Sequence, residues 1–281
     1  MSSKKSTASK RVVVFGGAGS IGSELVRQIS VKGHKVYVVD NNETGVFDVT
    51  EPLTDVWGRV GDIRDYQTVK DVFEDFKPQV VFNCAAYKHV PLMEYTPLEA
   101  IQTNVLGHYN LIHCAKTLEC VEKFVFVSTD KAVNARSIMG ATKNLGEIMT
   151  LNQGKGYIVV RFGNVMGSRG SLFPIWQRQV DEGKPLAVTD RRMERYMMSI
   201  PEAVELVIEA SELGQGGEVF VLDMGKKIKI AELAEQIVKA SRYGVGVIET
   251  GMRPGETLSE ELMSVEETGR AVKEGRFFVI R

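Results

Sequence analysis

Short apolar runs alternate with longer segments of helical periodicity between residues 11 and 161. Most of these runs are apolar at nearly every position, which is typical of strands buried on both faces of a parallel sheet. The predicted strands are 11–15, 35–40, 59–62, 80–83, 123–128 and 157–161. The predicted helices between them are 21–32, 66–76, 98–119 and 137–152. Strands that alternate with helices predict βαβ units, and therefore a doubly wound parallel α/β sheet.

This alternation ends after residue 161. Residues 163–197 are rich in glycine, arginine and methionine, and the periodic segments that follow are a helix at 201–213, a strand at 218–222 and a helix at 230–243. The change predicts a smaller C-terminal substrate-binding domain beside the sheet. The predicted division is 1–10 as a disordered tail, 11–162 with 198–222 as the sheet domain, and 163–197 with 223–281 as the substrate-binding domain.

The composition is that of a soluble globular protein, with 43% hydrophobic and 25% charged residues among 281. The 35 basic residues nearly balance the 36 acidic ones, so nothing indicates a nucleic-acid partner. No apolar run reaches the roughly 18–20 residues that a membrane span needs. The basic and polar N-terminus has no apolar segment after it, so we do not expect it to be a signal peptide. The three cysteines lack CxxC spacing and the four histidines lack metal-ligand spacing. We therefore expect a cytoplasmic protein with reduced thiols and no metal site.

A glycine-rich motif links the first predicted strand to the first helix. Residues 17–22 read G-x-G-x-x-G, and Asp40 follows 18 positions after Gly22, at the end of the second strand. Such glycines let the backbone approach a pyrophosphate, the helix N-terminus offers free N–H groups, and the aspartate accepts hydrogen bonds from a ribose. The context predicts a Rossmann-like NAD-binding domain, although glycines also suit a turn that only packs strand on helix. Asp40 would repel the 2′-phosphate of NADP, so the predicted cofactor is NAD.

Other positions of a cofactor wall follow the third and fourth strands. Asp62 can face an adenine, and the small side chains of Ala85 and Ala86 leave room for a cofactor against the sheet, although ordinary loop and packing roles also suit these residues. The segment between Asp40 and Asp62 is short and contains Pro52, so we expect the second helix to be short or missing.

Polar residues at the end of the fifth strand carry the candidate chemistry. Residues 128–131 read Ser-Thr-Asp-Lys, and Met139 and Lys143 follow on the next helix. This pattern resembles the extended short-chain dehydrogenase/reductase superfamily, which has Ser or Thr at that strand end and Tyr-x-x-x-Lys on that helix. Spacing i, i+4 places both side chains of the helix motif on one face. Here Met139 stands at the tyrosine position and Lys143 matches the lysine.

Further motifs narrow the resemblance to the UDP-N-acetylglucosamine 4,6-dehydratases, the CapD-like polysaccharide-biosynthesis proteins. They are Ala-Ala-Tyr-Lys-His-Val-Pro at 85–91, Ser-Thr-Asp-Lys-Ala at 128–132, Arg-Phe-Gly-Asn-Val at 161–165, Gly-Ser-Arg-Gly-Ser at 167–171 and Arg-Pro-Gly-Glu at 253–256. The resemblance covers about residues 12–261, in the order of the family. Many members carry an N-terminal membrane region, and this chain looks like the catalytic domain alone.

The resemblance implies removal of water between C5 and C6 of a hexose. The C5 proton is not acidic until C4 is oxidised to a ketone, which is the task of NAD. Asp130, in its protonated form, would then protonate the departing 6-hydroxyl, and Lys131, in its neutral form, would take the C5 proton. A loop salt bridge is the alternative interpretation of this pair. Thr129 would hydrogen-bond the O4 oxygen of the sugar.

Met139 departs from the superfamily pattern because a thioether cannot accept a proton. The resemblance associates the methionine-bearing subgroup with retention at C5, and helix packing is an equally consistent role for this side chain. The base for O4 is therefore either Asp130 or a water held by Thr129 and Lys143. Lys143 would also hold the nicotinamide ribose.

The resemblance implies two sets of binding residues and a homodimer or higher homo-oligomer formed through helices 98–118 and 137–152. The cofactor set is Gly16, Gly19, Ser20, Ile21, Gly22, Asp40, Asn41, Asp62, Ile63, Ala85, Ala86, Lys88, Asn104 and Lys143. The UDP-sugar set is Lys88, His89, Asn164, Arg169, Arg253 and Glu256. A C5-inverting dehydratase, a UDP-sugar 4-epimerase and a non-enzymatic dinucleotide-sensing protein remain the alternatives, and Asp130 with Lys131 argues against a simple epimerase.

Overall fold

The computed structural model describes residues 8–241 and 244–281, so residues 1–7 of the predicted tail lie outside the described residues. The strands are β1 (Arg11–Phe15), β2 (Lys35–Asp40), β3 (Val56–Val60), β4 (Val80–Asn83), β5 (Lys123–Val127), β6 (Tyr157–Arg161), β7 (Asn164–Met166), β8 (Leu186–Val188), β9 (Glu194–Arg195), β10 (Met197–Ser199), β11 (Val219–Leu222), β12 (Ile228–Lys229), β13 (Val247–Glu249), β14 (Val272–Glu274) and β15 (Phe277–Ile280). The α-helices are α1 (Ser20–Val31), α2 (Glu43–Thr50), α3 (Tyr66–Phe76), α4 (Val90–Tyr95), α5 (Pro97–Ile101), α6 (His108–Thr117), α7 (Ile138–Leu151), α8 (Leu172–Asp181), α9 (Ile200–Leu213), α10 (Ile230–Ala240) and α11 (Val265–Arg270).

One large sheet has the strand order β14-β15-β11-β6-β5-β4-β1-β2-β3. Its seven strands from β11 to β3 are parallel, and β15 and β14 are added antiparallel at one edge. Helix α1 packs on α9, while α3, α6 and α7 form the other helical layer. The predicted doubly wound α/β fold is confirmed. Its strand order reverses between β1 and β4, where the carboxyl ends of the strands open a crevice.

The predicted elements between β2 and β5 need three adjustments. The third strand is Val56–Val60 rather than 59–62, so Asp62 lies in the loop after it. The second helix is present and short, and the Asn42 side chain caps it by accepting a hydrogen bond from Gly45 N. The predicted helix 98–119 consists of α5, a π-helical turn at Gln102–Gly107 and α6. Such π-turns are frequent at functional sites.

The C-terminal third contains more strands than its sequence pattern predicts. Three two-stranded sheets pair β7 with β10, β9 with β12 and β8 with β13. A second small core around Trp176, Leu186 and Ile230 lies beside them. The predicted helix 230–243 ends at Ala240, and residues 242–243 lie outside the described residues.

The C-terminal hairpin β14–β15 belongs to the large sheet, although it was predicted to lie with the smaller domain. The reason is the apolar edge of β11. Phe277 and Val279 are buried against it, and the Phe277 ring meets the Phe220 ring edge-to-face at 5.5 Å between centroids.

No helix among residues 8–241 and 244–281 has the length and apolar character needed to cross a membrane.

Candidate functional site

The glycine-rich loop lies at the carboxyl end of β1 and is held against β4. Gly16 has φ +75°, and a Cβ there would lie 2.5 Å from the backbone N of Ala85. A Cβ on Gly22 would overlap the Gly16 carbonyl oxygen. Both positions therefore require glycine. Helix α1 begins at Ser20, so its free N–H groups open towards this loop.

Asp40 organises the loop as well as bordering it. Its Oδ2 accepts a hydrogen bond from Ala18 N at 3.0 Å, and its Oδ1 accepts one from Asn42 N at 3.0 Å. The carboxylate is half-buried at the end of β2, beside the exposed Asn41. An anion at this position suits ribose hydroxyls and disfavours a 2′-phosphate.

A cavity of about 150 Å³ opens between the ends of β1, β2 and β4. Other residues such as Gly61, Cys84, Tyr87 and Thr103 also line it. Eight of the predicted cofactor residues lie in this lining: Gly16, Gly19, Asp40, Asn41, Asp62, Ile63, Ala85 and Ala86. The structure thus brings most of that predicted set into one crevice.

Asp62 lies in the cavity wall, paired with Arg64. Its carboxylate accepts hydrogen bonds from Arg64 Nη2 at 2.7 Å and from Arg64 N at 2.9 Å. Burial alone would raise the pKa of Asp62, but the Arg64 hydrogen bonds and charge hold it below its ordinary value. Asp62 is therefore an ionised, paired wall residue.

Asn104, in the π-turn, holds the backbone of the cavity wall. Its Oδ1 accepts a hydrogen bond from Tyr87 N at 2.8 Å, and its Nδ2 donates to Tyr87 O at 3.0 Å and to Thr142 Oγ1 at 3.0 Å. The side chain is buried and fully engaged in these contacts. Its predicted place in the cofactor set is therefore indirect in this structure, because it positions Tyr87.

Lys143 lies on the α7 face turned to the sheet. Its ammonium donates to Val127 O at 2.5 Å and lies 4.0 Å from the centroid of the Phe126 ring. Burial lowers the pKa of Lys143 to about 8, while the charges of Cys84 and Glu147 act in the opposite direction. The lysine is thus held at the end of β5.

The residues after β5 form a hydrogen-bonded group. Asp130 is fully buried, and its Oδ1 accepts hydrogen bonds from Thr129 Oγ1 at 2.9 Å and from Lys131 Nζ at 2.9 Å. Lys131 also donates to Asn164 Oδ1 at 3.1 Å, which brings this predicted substrate residue into the group. A short 3-10 turn at Asp130–Ala132 places the two charges side by side.

The second carboxylate oxygen of Asp130 has no hydrogen-bond partner within the part of the chain that the structure describes. It faces Gly163, where an added Cβ would lie 3.1 Å from it. Burying an unpartnered carboxylate oxygen is costly, so such an atom marks a place where a ligand group can complete the contact.

Met139 lies in the first turn of α7 and is buried among apolar side chains. Its neighbours are Val90, Met93 and Ala100. Glu94 accepts a hydrogen bond from Ile138 N at 2.6 Å and so joins α4 to the start of the Met139 helix. In this structure Met139 is a packing residue.

Four cationic or ionisable side chains of the predicted UDP-sugar set come from three separate segments. Lys88 and His89 are exposed at the surface. The pKa of Lys88 is lowered by partial desolvation and then by the charge of Arg169, and that of His89 by partial desolvation and then by the charges of Lys88 and Arg253. A Cβ on Gly170 would lie 2.5 Å from His89 Cε1, and one on Gly255 would lie 2.8 Å from Val90 Cγ1, so the three segments meet.

Arg253 and Glu256 form one turn. The Arg253 guanidinium donates to Glu256 Oε1 at 2.5 Å, and the arginine remains more than half exposed. Gly255, with φ +74°, packs on Val90 and Glu94, which anchors the turn on α4.

Arg169 contacts the glycine-rich loop. Its guanidinium donates to the Ala18 carbonyl, and its backbone N donates to Ser20 Oγ at 3.0 Å. The structure therefore places this arginine on the glycine-rich loop, whereas Arg253 lies on the turn beside α4.

Sequence reasoning missed a buried ionic group behind Lys143. Arg161 donates to Glu147 Oε2 at 2.5 Å and to both oxygens of Glu267, at 2.9 and 3.0 Å, and Ser128 Oγ donates to Glu147 Oε1 at 2.5 Å. The spacing of Glu147, four positions after Lys143, is the signal that could have placed it on the same helix face.

His108 was also missed. Burial lowers its pKa to about 3, so the ring is neutral. Its Nδ1 lies 2.9 Å from Asn83 Nδ2, and its Nε2 lies 2.9 Å from Thr150 Oγ1, which makes Nδ1 the acceptor. Asn83 Oδ1 in turn accepts a hydrogen bond from Ala85 N at 3.1 Å. The imidazole therefore positions the cavity wall.

Comparison with known proteins identifies the family of this chain. A family model described as "Polysaccharide biosynthesis protein" matches residues 12–281. The capsular polysaccharide biosynthesis protein CapD of Staphylococcus aureus is 44% identical over 92% of this chain, which spans 46% of the CapD length.

Two solved structures extend the comparison. The structure of Pen from Bacillus thuringiensis has a TM-score of 0.90 and 35% identity, over 96% of this chain and 87% of Pen. The UDP-glucose 4-epimerase of Thermus thermophilus, in complex with NAD, has a TM-score of 0.81 and 25% identity, over 90% of both chains.

Proposed function

The chain belongs to the polysaccharide biosynthesis protein family, and on that premise we propose that it is an NAD-dependent 4,6-dehydratase of UDP-N-acetylglucosamine. The product is the UDP-4-keto-6-deoxy sugar, with retention at C5. The observation that carries the proposal is the hydrogen-bonded group of Thr129, Asp130 and Lys131 at the end of β5. β5 pairs with β4, and the residues after β4 line the crevice of the glycine-rich loop.

The crevice fits NAD. Gly16 and Gly22 leave space that a Cβ would fill, the N-terminus of α1 suits a pyrophosphate, and Asp40 suits the adenosine ribose. The Thermus epimerase that shares this fold binds NAD. Bound NAD would supply reversible oxidation of the sugar. Lys143 would hold the ribose next to the nicotinamide.

The residues after β5 perform the dehydration. The reactive state forms when the Lys131 ammonium passes a proton to Asp130, its partner at 2.9 Å. Thr129 then donates to O4 of the sugar, the neutral Lys131 amine takes the C5 proton, and the protonated Asp130 gives its proton to the hydroxyl that leaves C6 as water. The Oδ2 of Asp130, which has no partner among the described residues, is the oxygen available for that transfer. Asn164 Oδ1 accepts a hydrogen bond from Lys131 Nζ and thereby sets the direction of that side chain.

Met139 cannot serve as a base, because a thioether does not accept a proton. The O4 proton therefore passes to Asp130 or to a water between Thr129 and Lys143. The methionine at this position favours the C5-retaining branch over the inverting one, because the family resemblance associates it with retention.

The UDP end binds between the large sheet and the smaller C-terminal part. Arg253 supplies a guanidinium for the diphosphate, and Glu256 holds that guanidinium in place. Lys88 and His89 line the approach to the sugar, where the segments of Lys88 and Arg253 meet.

The exposed apolar side chains of α5, α6, α7 and the π-turn support a homodimer. Leu98, Leu106, Tyr109, Leu145 and Ile148 are each more than two-fifths exposed. Such a face is typical of a protein interface. The cysteines Cys84, Cys114 and Cys120 are free, which suits a reducing cytoplasm.

The test is incubation of the protein with UDP-N-acetylglucosamine and NAD in deuterated water, followed by mass spectrometry and NMR of the product. The proposal expects loss of one water, deuterium at C5 and the gluco configuration there.

A 4-epimerase is the second candidate, because a related structure carries that name. In the same experiment it would give a C4 epimer with no loss of water. A sensing protein would bind NAD and leave the sugar unchanged.

A further inference from the structure

The loop of residues 167–171 reaches the glycine-rich loop from a distant part of the sequence. The Arg169 guanidinium donates to the Ala18 carbonyl, and the Arg169 backbone N donates to Ser20 Oγ at 3.0 Å. Ala18 lies inside the glycine-rich loop and Ser20 is the first residue of α1. Side chain and backbone of one residue therefore both contact the segment that receives a pyrophosphate.

The same loop also contacts the other wall of the crevice. Gly170 has φ +70°, and a Cβ there would lie 2.5 Å from His89 Cε1. The charge of Arg169 contributes to the lowered pKa of Lys88, the residue before His89. The loop thus lies between the glycine-rich loop and the segment that follows β4.

The present partner of the Arg169 guanidinium is a neutral carbonyl. A guanidinium forms stronger, often bidentate bonds with anionic oxygens, roughly twice as strong as bonds between neutral groups. The N-terminus of α1 attracts an anion to this same place. Arg169 brings a positive charge to this place, which suits the negative charge of a dinucleotide pyrophosphate.

We infer that Arg169 is a ligand of the dinucleotide pyrophosphate rather than of the UDP diphosphate, and that it docks the 167–171 loop on the bound cofactor. The inference rests on the proposed NAD site. It assigns the two arginines to different ligands: Arg169 binds the cofactor, and Arg253 binds the sugar nucleotide.

The experiment is calorimetric titration of cofactor-stripped Arg169→Gln with three probes: NAD, ADP-ribose and adenosine. One charged hydrogen bond contributes about 1.5–3 kcal/mol, so the Kd for NAD and for ADP-ribose should rise about 10- to 100-fold. The Kd for adenosine, which has no phosphate, should stay within about twofold. UDP binding to the NAD-saturated variant should also stay within about twofold.

Arg178→Gln is the matched control, because Arg178 is an exposed arginine on α8, close in sequence. It should bind all four probes like the wild type. If Arg169→Gln does not fold, trypsin cleavage of the wild type after Arg169 replaces it. NAD and ADP-ribose should slow that cleavage, and adenosine should not.

Two results would overturn the inference. Weaker UDP binding with unchanged NAD binding would make Arg169 a UDP ligand. An equal loss of affinity for NAD and for adenosine would show that Arg169 only packs the 167–171 loop. Failure of the proposed function gives a different result. In that case Arg169→Gln still binds NAD more weakly than the wild type, but the wild type forms no dehydrated product.

Discussion

The buried group of Arg161, Glu147 and Glu267 should contribute strongly to the free energy of unfolding. The side chains of Arg161 and Glu147 are 2% and 4% exposed, and that of Glu267 is 18% exposed. Arg161 also donates to Leu262 O at 3.1 Å. Arg161→Met would remove the cation and leave two carboxylates facing each other inside the protein.

The magnitude follows from that burial. Removing one partner of a buried ion pair costs about 3–5 kcal/mol, because the remaining charge is uncompensated. In a chain of this size 1 kcal/mol corresponds to roughly 2–3 °C in Tm, so we expect a decrease of about 6–15 °C.

The surface of the same chain offers a matched control. Arg276 also pairs with two glutamates, Glu205 at 2.9 Å and Glu209 at 2.6 Å, but its side chain is 47% exposed. Surface pairs contribute about 0–1 kcal/mol, so Arg276→Met should change the Tm by no more than about 3 °C. Thermal unfolding of both variants by circular dichroism makes the comparison.

A rescue variant separates charge from packing. In Arg161→Met with Glu147→Leu, no fully buried charge remains uncompensated, so much of the lost stability should return. If Arg161→Met costs no more than Arg276→Met, or if the double variant unfolds at a lower temperature than Arg161→Met, the reasoning from buried charge is refuted.

The same group predicts a pH dependence. Burial alone would raise the pKa of Glu267, but Arg161 holds it below the ordinary value of 4.5. A carboxyl group whose pKa is lower in the folded than in the unfolded protein stabilises the fold at pH values above its pKa in the unfolded protein. This stabilisation is lost as the pH falls through the pKa of the group in the folded protein. The stability difference between wild type and Arg161→Met should therefore shrink below about pH 4.5.

Four further predictions concern the site. Lys131→Ala should lower the rate of dehydration about 10²–10⁴-fold and accumulate bound reduced cofactor, which is measured by its absorbance. The control Lys155→Ala, in an exposed loop, should turn over normally. Near-normal product formation by Lys131→Ala would show that another group takes the C5 proton. Arg253→Ala should reduce kcat/KM for the UDP-sugar at least about 30-fold, because loss of one charged partner costs about 2–5 kcal/mol, while NAD content stays unchanged; unaltered kinetics would remove Arg253 from the diphosphate site. Wild type should bind NAD at least about tenfold more tightly than NADP in calorimetry, because Asp40 meets the 2′-phosphate with like charge; equal affinities would contradict this. NAD affinity should fall as the pH rises through about 8, where the buried Lys143 loses its proton, and a flat profile from pH 6 to 9 would exclude a charged Lys143 as the ribose ligand.

The sequence alone determined the centre of the sheet and the dinucleotide crevice. Buried parallel strands are apolar along their whole length, so β1, β4, β5 and β6 could be predicted from local composition. The glycine motif and Asp40 are local signals as well, because a turn, a helix start and a strand end must follow one another in the chain. The 128–131 motif likewise brings Thr129, Asp130 and Lys131 together through neighbouring residues.

Only the tertiary structure decided where the edge strands lie and which residues far apart in the sequence come into contact. Edge strands carry weak patterns because one side faces solvent, so β3 was misplaced by about three residues and the β14–β15 hairpin was assigned to the wrong part. Arg169 is 149 positions from Ser20, and Arg161 is 106 positions from Glu267. An arginine can pair with many carboxylates or carbonyls, and the packing of the loops selects the partner. The sequence therefore determined which groups are available, and the fold decided which of them meet.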